Sequence, residues 1–180
     1  MTFDRIIEDG HLWAVKYDKD KDNALQKVLS QWGDAEWLAD FFIQNLNDLL
    51  SYFKITNIED AIYQTMEDRD DMACIIMDIS PDADLDRFFR PLDNNRTSEM
   101  ILGKEKGRPH RKSWLRLYAI KLNVGIYIIT GGAIKPTRTM QEREHTLIEL
   151  EKMEKVRNFL IREGVFDEDS FSDYQKEAGL

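Results

Sequence analysis

Trp114, Arg116, Tyr118 and Ile120 recur every second residue in a stretch that reads as a β-strand, 113–122. That spacing puts them on one face and Leu115, Leu117 and Ala119 on the other. The second set is small and apolar and suits a core under helices. The first alternates aromatic and basic and suits an exposed face that meets nucleic acid, because Arg and Lys pair with backbone phosphates and aromatic rings stack on unpaired bases. A half-buried strand with a snorkelling Arg116 is the plainer alternative. Lys135 and Arg138 precede a helix start marked by the capping box Thr139-Met-Gln-Glu142. The free N–H groups and positive dipole end of such a helix attract anions, so the two cations beside them make a phosphate site. Upstream, His110, Arg111 and Lys112 end a basic loop able to close over the strand.

Other chemistries find little support. His11, His110 and His145 have no histidine four residues away and no CxxC pair beside them, so zinc signatures are missing. Asp82, Asp84 and Asp86 lack the glycine and closing glutamate of a calcium loop and read as a solvated helix start. There is no phosphate-binding glycine loop, and no cofactor is called for. Cys74 lies between apolar residues and is expected to be a buried structural thiol.

The elements that must position these residues follow from periodicity. Residues 11–17 alternate as a first strand. Leu25, Val28, Leu29 and Trp32 recur at helical spacing, and Gly33 ends that helix. Asp34 caps a second helix whose apolar stripe runs from Trp37 to Phe53, and Asn57 caps a third through Met77. The acidic run 67–71 within it reads as a solvated face. Ser80-Pro81 suggests a further helix start, with Leu85, Phe88, Phe89 and Leu92 forming a short amphipathic piece. Residues 93–112 read as mostly loop. Gly125 suits the left-handed position of a three-residue hairpin loop, and 126–130, extending to Ile134, is the returning strand. Gly131-Gly132 inside it signals a bulge or a close backbone approach. A closing helix carries Leu147, Leu150, Met153, Val156 and Leu160 and stops at Gly164. Together these predict an α+β fold with a small antiparallel sheet, the N-terminal strand plus the hairpin, packed with several helices. A single domain is expected over 1–164, followed by an acidic tail at 165–180, frayed or a short helix.

Charge divides the same way. The chain has 180 residues and a net charge of −9. Residues 1–95 carry 9 Lys/Arg against 21 Asp/Glu, residues 96–141 carry 10 against 2, and residues 142–180 carry 6 against 11. A basic loop and hairpin is thus set within an acidic molecule, which speaks to partners rather than to fold. The single cysteine fits a reducing compartment, and no secretory leader or membrane-length apolar run is seen, so a cytoplasmic protein with no membrane partner is expected.

Ser113-Trp-Leu-Arg-Leu-Tyr-Ala-Ile120, Ile126-Tyr-Ile-Ile-Thr-Gly-Gly-Ala-Ile-Lys-Pro-Thr-Arg-Thr139 and Glu142-Arg-Glu144 together resemble the C-terminal half of RelE/HigB-type toxins. In that family an Arg-x-aromatic strand precedes a strand ending in apolar-Gly-x-x-Lys, followed by a Lys/Thr-rich turn and a helix with an early Glu. Arg116 and Tyr118 match the first part, and Gly132, Lys135, Thr137 and Glu144 the rest. The likeness covers roughly 35 residues, with an enlarged helical region before the hairpin; Pro136, Met140 and Gln141 depart from the usual turn. It implies the toxin of a type II toxin–antitoxin pair, a metal-independent mRNA endoribonuclease acting at the ribosome, with an antitoxin protein as partner. In that reading a 2′-hydroxyl attacks the adjacent phosphodiester. Arg116 and Lys135 would stabilise the developing charge, Tyr118 or His110 would handle a proton, and Arg138 would position a phosphate. Arg111, Lys112 and Trp114 would complete the RNA-binding face. The alternative is a non-catalytic RNA- or protein-binding module on the same fold.

Overall fold

The computed structural model describes residues 1–8, 10–53, 55–91, 97–100, 113–122, 125–135 and 144–178. The alternating stretch after His11 is strand β2 (Leu12–Lys16), paired antiparallel with β1 (Thr2–Arg5). A helical block follows. Helix α1 (Ala24–Trp32) is opened by a full capping box, with Asn23 Oδ1 accepting from the Gln26 N–H at 3.0 Å and Gln26 Oε1 from the Asn23 N–H at 3.1 Å. Helix α2 (Ala35–Gln44) starts at Asp34, whose Oδ1 accepts from the Glu36 and Trp37 N–H groups. The apolar stripe predicted to run on to Phe53 breaks at Asn45, whose side chain donates to the Phe41 carbonyl at 2.8 Å. Beyond it come one α-turn, α3 (Leu46–Asp48), and a π-helical turn, Leu49–Phe53. Helix α4 (Ile58–Met77) is capped by Asn57, as expected.

The chain then returns to the sheet sooner than the sequence suggests. Ser80-Pro81 starts no helix. Asp84 caps a single 3₁₀ turn, Leu85–Arg87, and Phe89 enters strand β3 (Phe89–Pro91). Part of the segment read as loop is strand β4 (Thr97–Met100). The predicted hairpin is β5 (Leu115–Lys121) and β6 (Tyr127–Ile134), with Gly125 at φ +88°. Helix α5 (Glu144–Arg162) ends at Gly164 (φ +71°), where the Val165 N–H bonds back to the Leu160 carbonyl at 2.9 Å. Of the two expectations for 165–180, the helix forms: α6 (Glu168–Ala178), with Asp167 Oδ1 accepting from the Ser170 N–H.

The fold is α+β, and its sheet has six strands in the order β1-β2-β6-β5-β4-β3. All neighbours are antiparallel except β2 and β6, which run parallel, so the sheet is mixed and the N-terminal strand joins it as half of its own hairpin. Adjacent residues of β6 point to opposite faces. A Cβ on Gly132 would meet Trp32 and Val28 of α1, and one on Gly131 would meet Glu149 of α5. Helices α1, α2 and α4 therefore layer one face. Helices α5 and α6 cover the other, where Phe171 meets Trp13 and Phe3 edge-on at 5.2 and 5.6 Å.

Two expectations about α4 are corrected. Its inward face is set by Ala61, Thr65, Asp68, Met72 and Ile76, and Cys74, two residues past Met72, turns outward and is exposed. The run 67–71 is not uniformly solvated, since Asp68 is buried on that inward face. Among the described residues no helix is long and apolar enough to cross a membrane.

Candidate functional site

The register of the hairpin decides which sequence-predicted residues meet. Leu115 pairs with Ile134 and Arg116 with Ala133, and one step further the Lys135 N–H donates to the Trp114 carbonyl at 2.8 Å. Arg116 and Lys135 thus reach the same end of the sheet, where β5 begins and β6 finishes. Both are partly exposed. The Arg116 guanidinium folds back along its own strand, with Nη1 donating to the Ser113 carbonyl at 2.8 Å and the Leu115 carbonyl at 2.7 Å.

The predicted open aromatic face is not open. Tyr118 is wholly buried on the α5 side, packed with Ala133, Met153 and Leu150. Trp114 is 1% exposed and lies on the opposite side of the sheet, edge-on to Phe42 at 5.7 Å, with Nε1 donating to Thr65 Oγ1 at 3.0 Å. It parts from Arg116 and Tyr118 because it precedes the regular strand. Ser113 Oγ accepts the Leu115 N–H at 3.2 Å, a local turn that ends the alternation. Neither ring is free to stack on a base. His110, Arg111, Lys112, Arg138 and the Thr139 capping box lie outside the described residues.

Beneath the cationic end lies a polar cluster that the sequence reading missed. The parallel pair β2–β6 ends at Ala14 and Ile129. The next residue of β6, Thr130, is the extra residue of a bulge, since Tyr118 pairs with Gly131 but Ala119 with Ile129. Thr130 would leave its carbonyl unpaired there; instead the Tyr17 hydroxyl donates to it at 2.8 Å. One residue on, Glu149 sets its carboxylate against Gly131. It is 5% exposed, and Oε1 accepts from Lys152 Nζ at 2.5 Å. Oε2 is buried with no hydrogen bond of good geometry.

Burial pushes the Glu149 carboxyl above the usual carboxylate range, against the pull of Lys152, the nearby Gly132 amide and Lys27. Burial also raises the Tyr17 phenol, helped by the negative charge of Glu149 and Asp20. Two signals in the sequence mark this cluster. One is the Gly131-Gly132 pair. The other is that Glu149 stands four, seven and eleven residues before Met153, Val156 and Leu160, on the apolar stripe itself.

The opposite end of the hairpin is closed by a different polar group. Lys121 Nζ sits 2.6 Å from both Asp86 oxygens, and the Tyr127 hydroxyl donates to Asp86 Oδ1 at 2.6 Å. These bonds hold the Asp86 carboxyl below its ordinary range. Phe89 stacks on Tyr127 at 4.7 Å, so this end is a structural latch.

The arrangement supplies two cations at one sheet end above a buried carboxylate and a phenol. It suits anion binding better than nucleophilic catalysis, and among the described residues no group of three or more His, Cys, Asp or Glu side chains is placed to hold a metal ion. Comparison with protein-family models, with curated proteins and with solved structures gives no match.

Proposed function

We propose that this chain is a RelE/HigB-like toxin of a type II toxin–antitoxin system that acts on RNA through the cationic end of its sheet. The observation that carries the reading is the convergence of Arg116 and Lys135, one at the start of β5 and one just past β6, fixed by the bond from the Lys135 N–H to the Trp114 carbonyl. Both border the segments that carry Arg111, Lys112 and Arg138 in the strongly basic 96–141 stretch. The likeness of residues 113–139 to the toxin family supports the same surface.

In this reading the 2′-oxygen bonds to phosphorus as the P–O5′ bond breaks, and Arg116 and Lys135 offset the charge that builds on the phosphoryl oxygens. The burial of Tyr118 leaves His110 as the candidate proton carrier. An acidic antitoxin and a cytoplasmic setting belong to the same proposal. RNA incubated with the purified protein, with Arg116→Ala and with Lys135→Ala tests it. Cleavage by the wild type and loss in both variants is expected; cleavage that survives both substitutions overturns the site.

A second reading is favoured by the burial of Trp114 and Tyr118: RNA or protein binding without cleavage. RNA affinity that falls steeply with salt, with intact RNA recovered, selects it.

A further inference from the structure

We infer that Glu149 is a positioning residue of the cationic sheet end: its carboxylate, sunk between α5 and the Gly131-Gly132 backbone, fixes the part of β6 against which the Arg116–Tyr118 segment of β5 is held. The consequence for RNA rests on the reading proposed above; the geometry does not.

As a purely stabilising group the Glu149 carboxylate does poorly. Its neighbours along the buried stripe of α5 are Met153, Val156 and Leu160. A leucine in its place would bury apolar area without desolvating a charge, whereas Glu149 leaves Oε2 buried and without a hydrogen bond of good geometry. Stability alone does not call for it. The site is nevertheless shaped for it, because a Cβ on Gly131 would lie 1.9 Å from Oε2. A missing side chain on β6 and a carboxylate on α5 are matched to one another.

The place matters as much as the fit. Gly131 is the partner of Tyr118, and the register shifts at the next pair. On the other side β2 has already left β6, and the hydroxyl of Tyr17, just past β2, holds the bulge carbonyl. Two glycines beside a bulge bring little of their own to hold the strand, and the α5 carboxylate fills that space. Gly132 is also where the Arg116 backbone comes close, since a Cβ there would lie 2.8 Å from the Arg116 carbonyl oxygen. A shift of this pair moves Arg116.

Among the described residues, the charged and titratable groups facing Glu149 are Lys152 on its own helix, Lys27 on α1 and Tyr17 just past the end of β2, with the Gly132 amide beside them. Burial favours the neutral acid, and the two lysines and the amide favour the carboxylate. Protonation gives the carboxyl an O–H donor and removes the charge that holds Lys152, so the bulge and the strand bearing Arg116 respond to pH.

The test uses the full chain as wild type, Glu149→Gln and Glu149→Leu. Amide NMR signals of Arg116, Tyr118, Gly131 and Gly132 are followed with pH, and affinity for a fluorescent single-stranded RNA is measured at constant salt. In the wild type the four amides move together in one titration lying above the ordinary carboxylate range. Glu149→Gln, which keeps the shape, lacks that titration. Glu149→Leu shifts the Arg116 and Tyr118 signals and weakens RNA binding by between about three- and thirtyfold. Should Glu149→Leu fail to fold, the Gln variant decides, and a retained titration there overturns the proposal. Unmoved Arg116 and Tyr118 signals in a folded Glu149→Leu also overturn it. A wild type that binds no RNA removes the RNA reading, and the NMR signals still decide the role of Glu149.

Discussion

Gly132→Ala is the sharpest probe of how the two helical layers grip the sheet. Neither Gly131 nor Gly132 has a positive φ, so alanine meets no backbone strain at either position and any cost is packing alone. At Gly132 the new methyl would sit 2.8 Å from the Arg116 carbonyl oxygen, 2.9 Å from Trp32 and 2.9 Å from Val28. The first contact is backbone of the paired strand, and the other two are buried side chains of α1. Nothing there can swing away, so α1 must lift or the strands must part. Overpacking of this kind costs up to about 3 kcal/mol, which lowers the melting temperature by roughly 6–12 °C at this chain length. Gly131→Ala provides the internal contrast. Its clash is with the far end of the Glu149 side chain, which can rotate out, so the loss is smaller, and adding Glu149→Ala recovers part of it. Thermal and urea unfolding followed by circular dichroism measure all four proteins. A Gly132→Ala variant as stable as the wild type, or one less affected than Gly131→Ala, refutes the two-layer packing argument.

Trp114→Ala is expected to lose about 3–5 kcal/mol of stability in denaturant unfolding, by emptying the contact with Phe42 and Thr65. The folded fraction should bind RNA as the wild type does, since the indole faces the core. Gly164→Ala should cost about 1–2 kcal/mol at its left-handed φ of +71°, with Gly164→Asn costing less, as read from thermal unfolding. Asp86 contributes through a folded pKa held below the unfolded value. Its share of stability is therefore present above the unfolded carboxylate pKa and is lost as pH falls through the folded one. Acid unfolding curves should accordingly show a smaller loss over that window in Asp86→Asn than in the wild type, and equal losses would remove the latch formed with Lys121 and Tyr127.

Much of the fold was legible because local signals and burial agree. Asp34 and Asn57 cap the helices they are expected to cap, Gly125 takes the left-handed position expected of it, and Gly164 ends α5 as expected. Gly131-Gly132 signals a bulge or a close approach; the close approach falls on the pair itself and the bulge on Thr130 just before it. What the sequence could not show is how many layers the sheet would carry. The alternation of Trp114, Arg116, Tyr118 and Ile120 is the same whether one face is wet or both are covered. With α5 laid over it, the mixed face becomes core for Tyr118 and Ile120 and leaves only Arg116 near the surface. Strand β3 escaped notice because three residues with a proline carry almost no period. Glu149 was hidden for the opposite reason, since a carboxylate within an apolar stripe reads as a lapse in the pattern until its glycine partner is seen.

The parallel pairing of β2 with β6 has a consequence for synthesis on the ribosome. Tyr17 and Thr130, which meet at the end of that pair, are separated by 113 positions in sequence. Until β6 emerges, the N-terminal hairpin has no strand beside it, and Leu12, Ala14, Val28 and Trp32 have no sheet to close on. Contacts of such long sequence range slow folding and leave apolar surface waiting. The acidic first half of the chain is therefore a dependent partner of the basic hairpin: a nascent chain stopped short of β6 should remain a chaperone client, and release into the native state should await the last strand of the sheet.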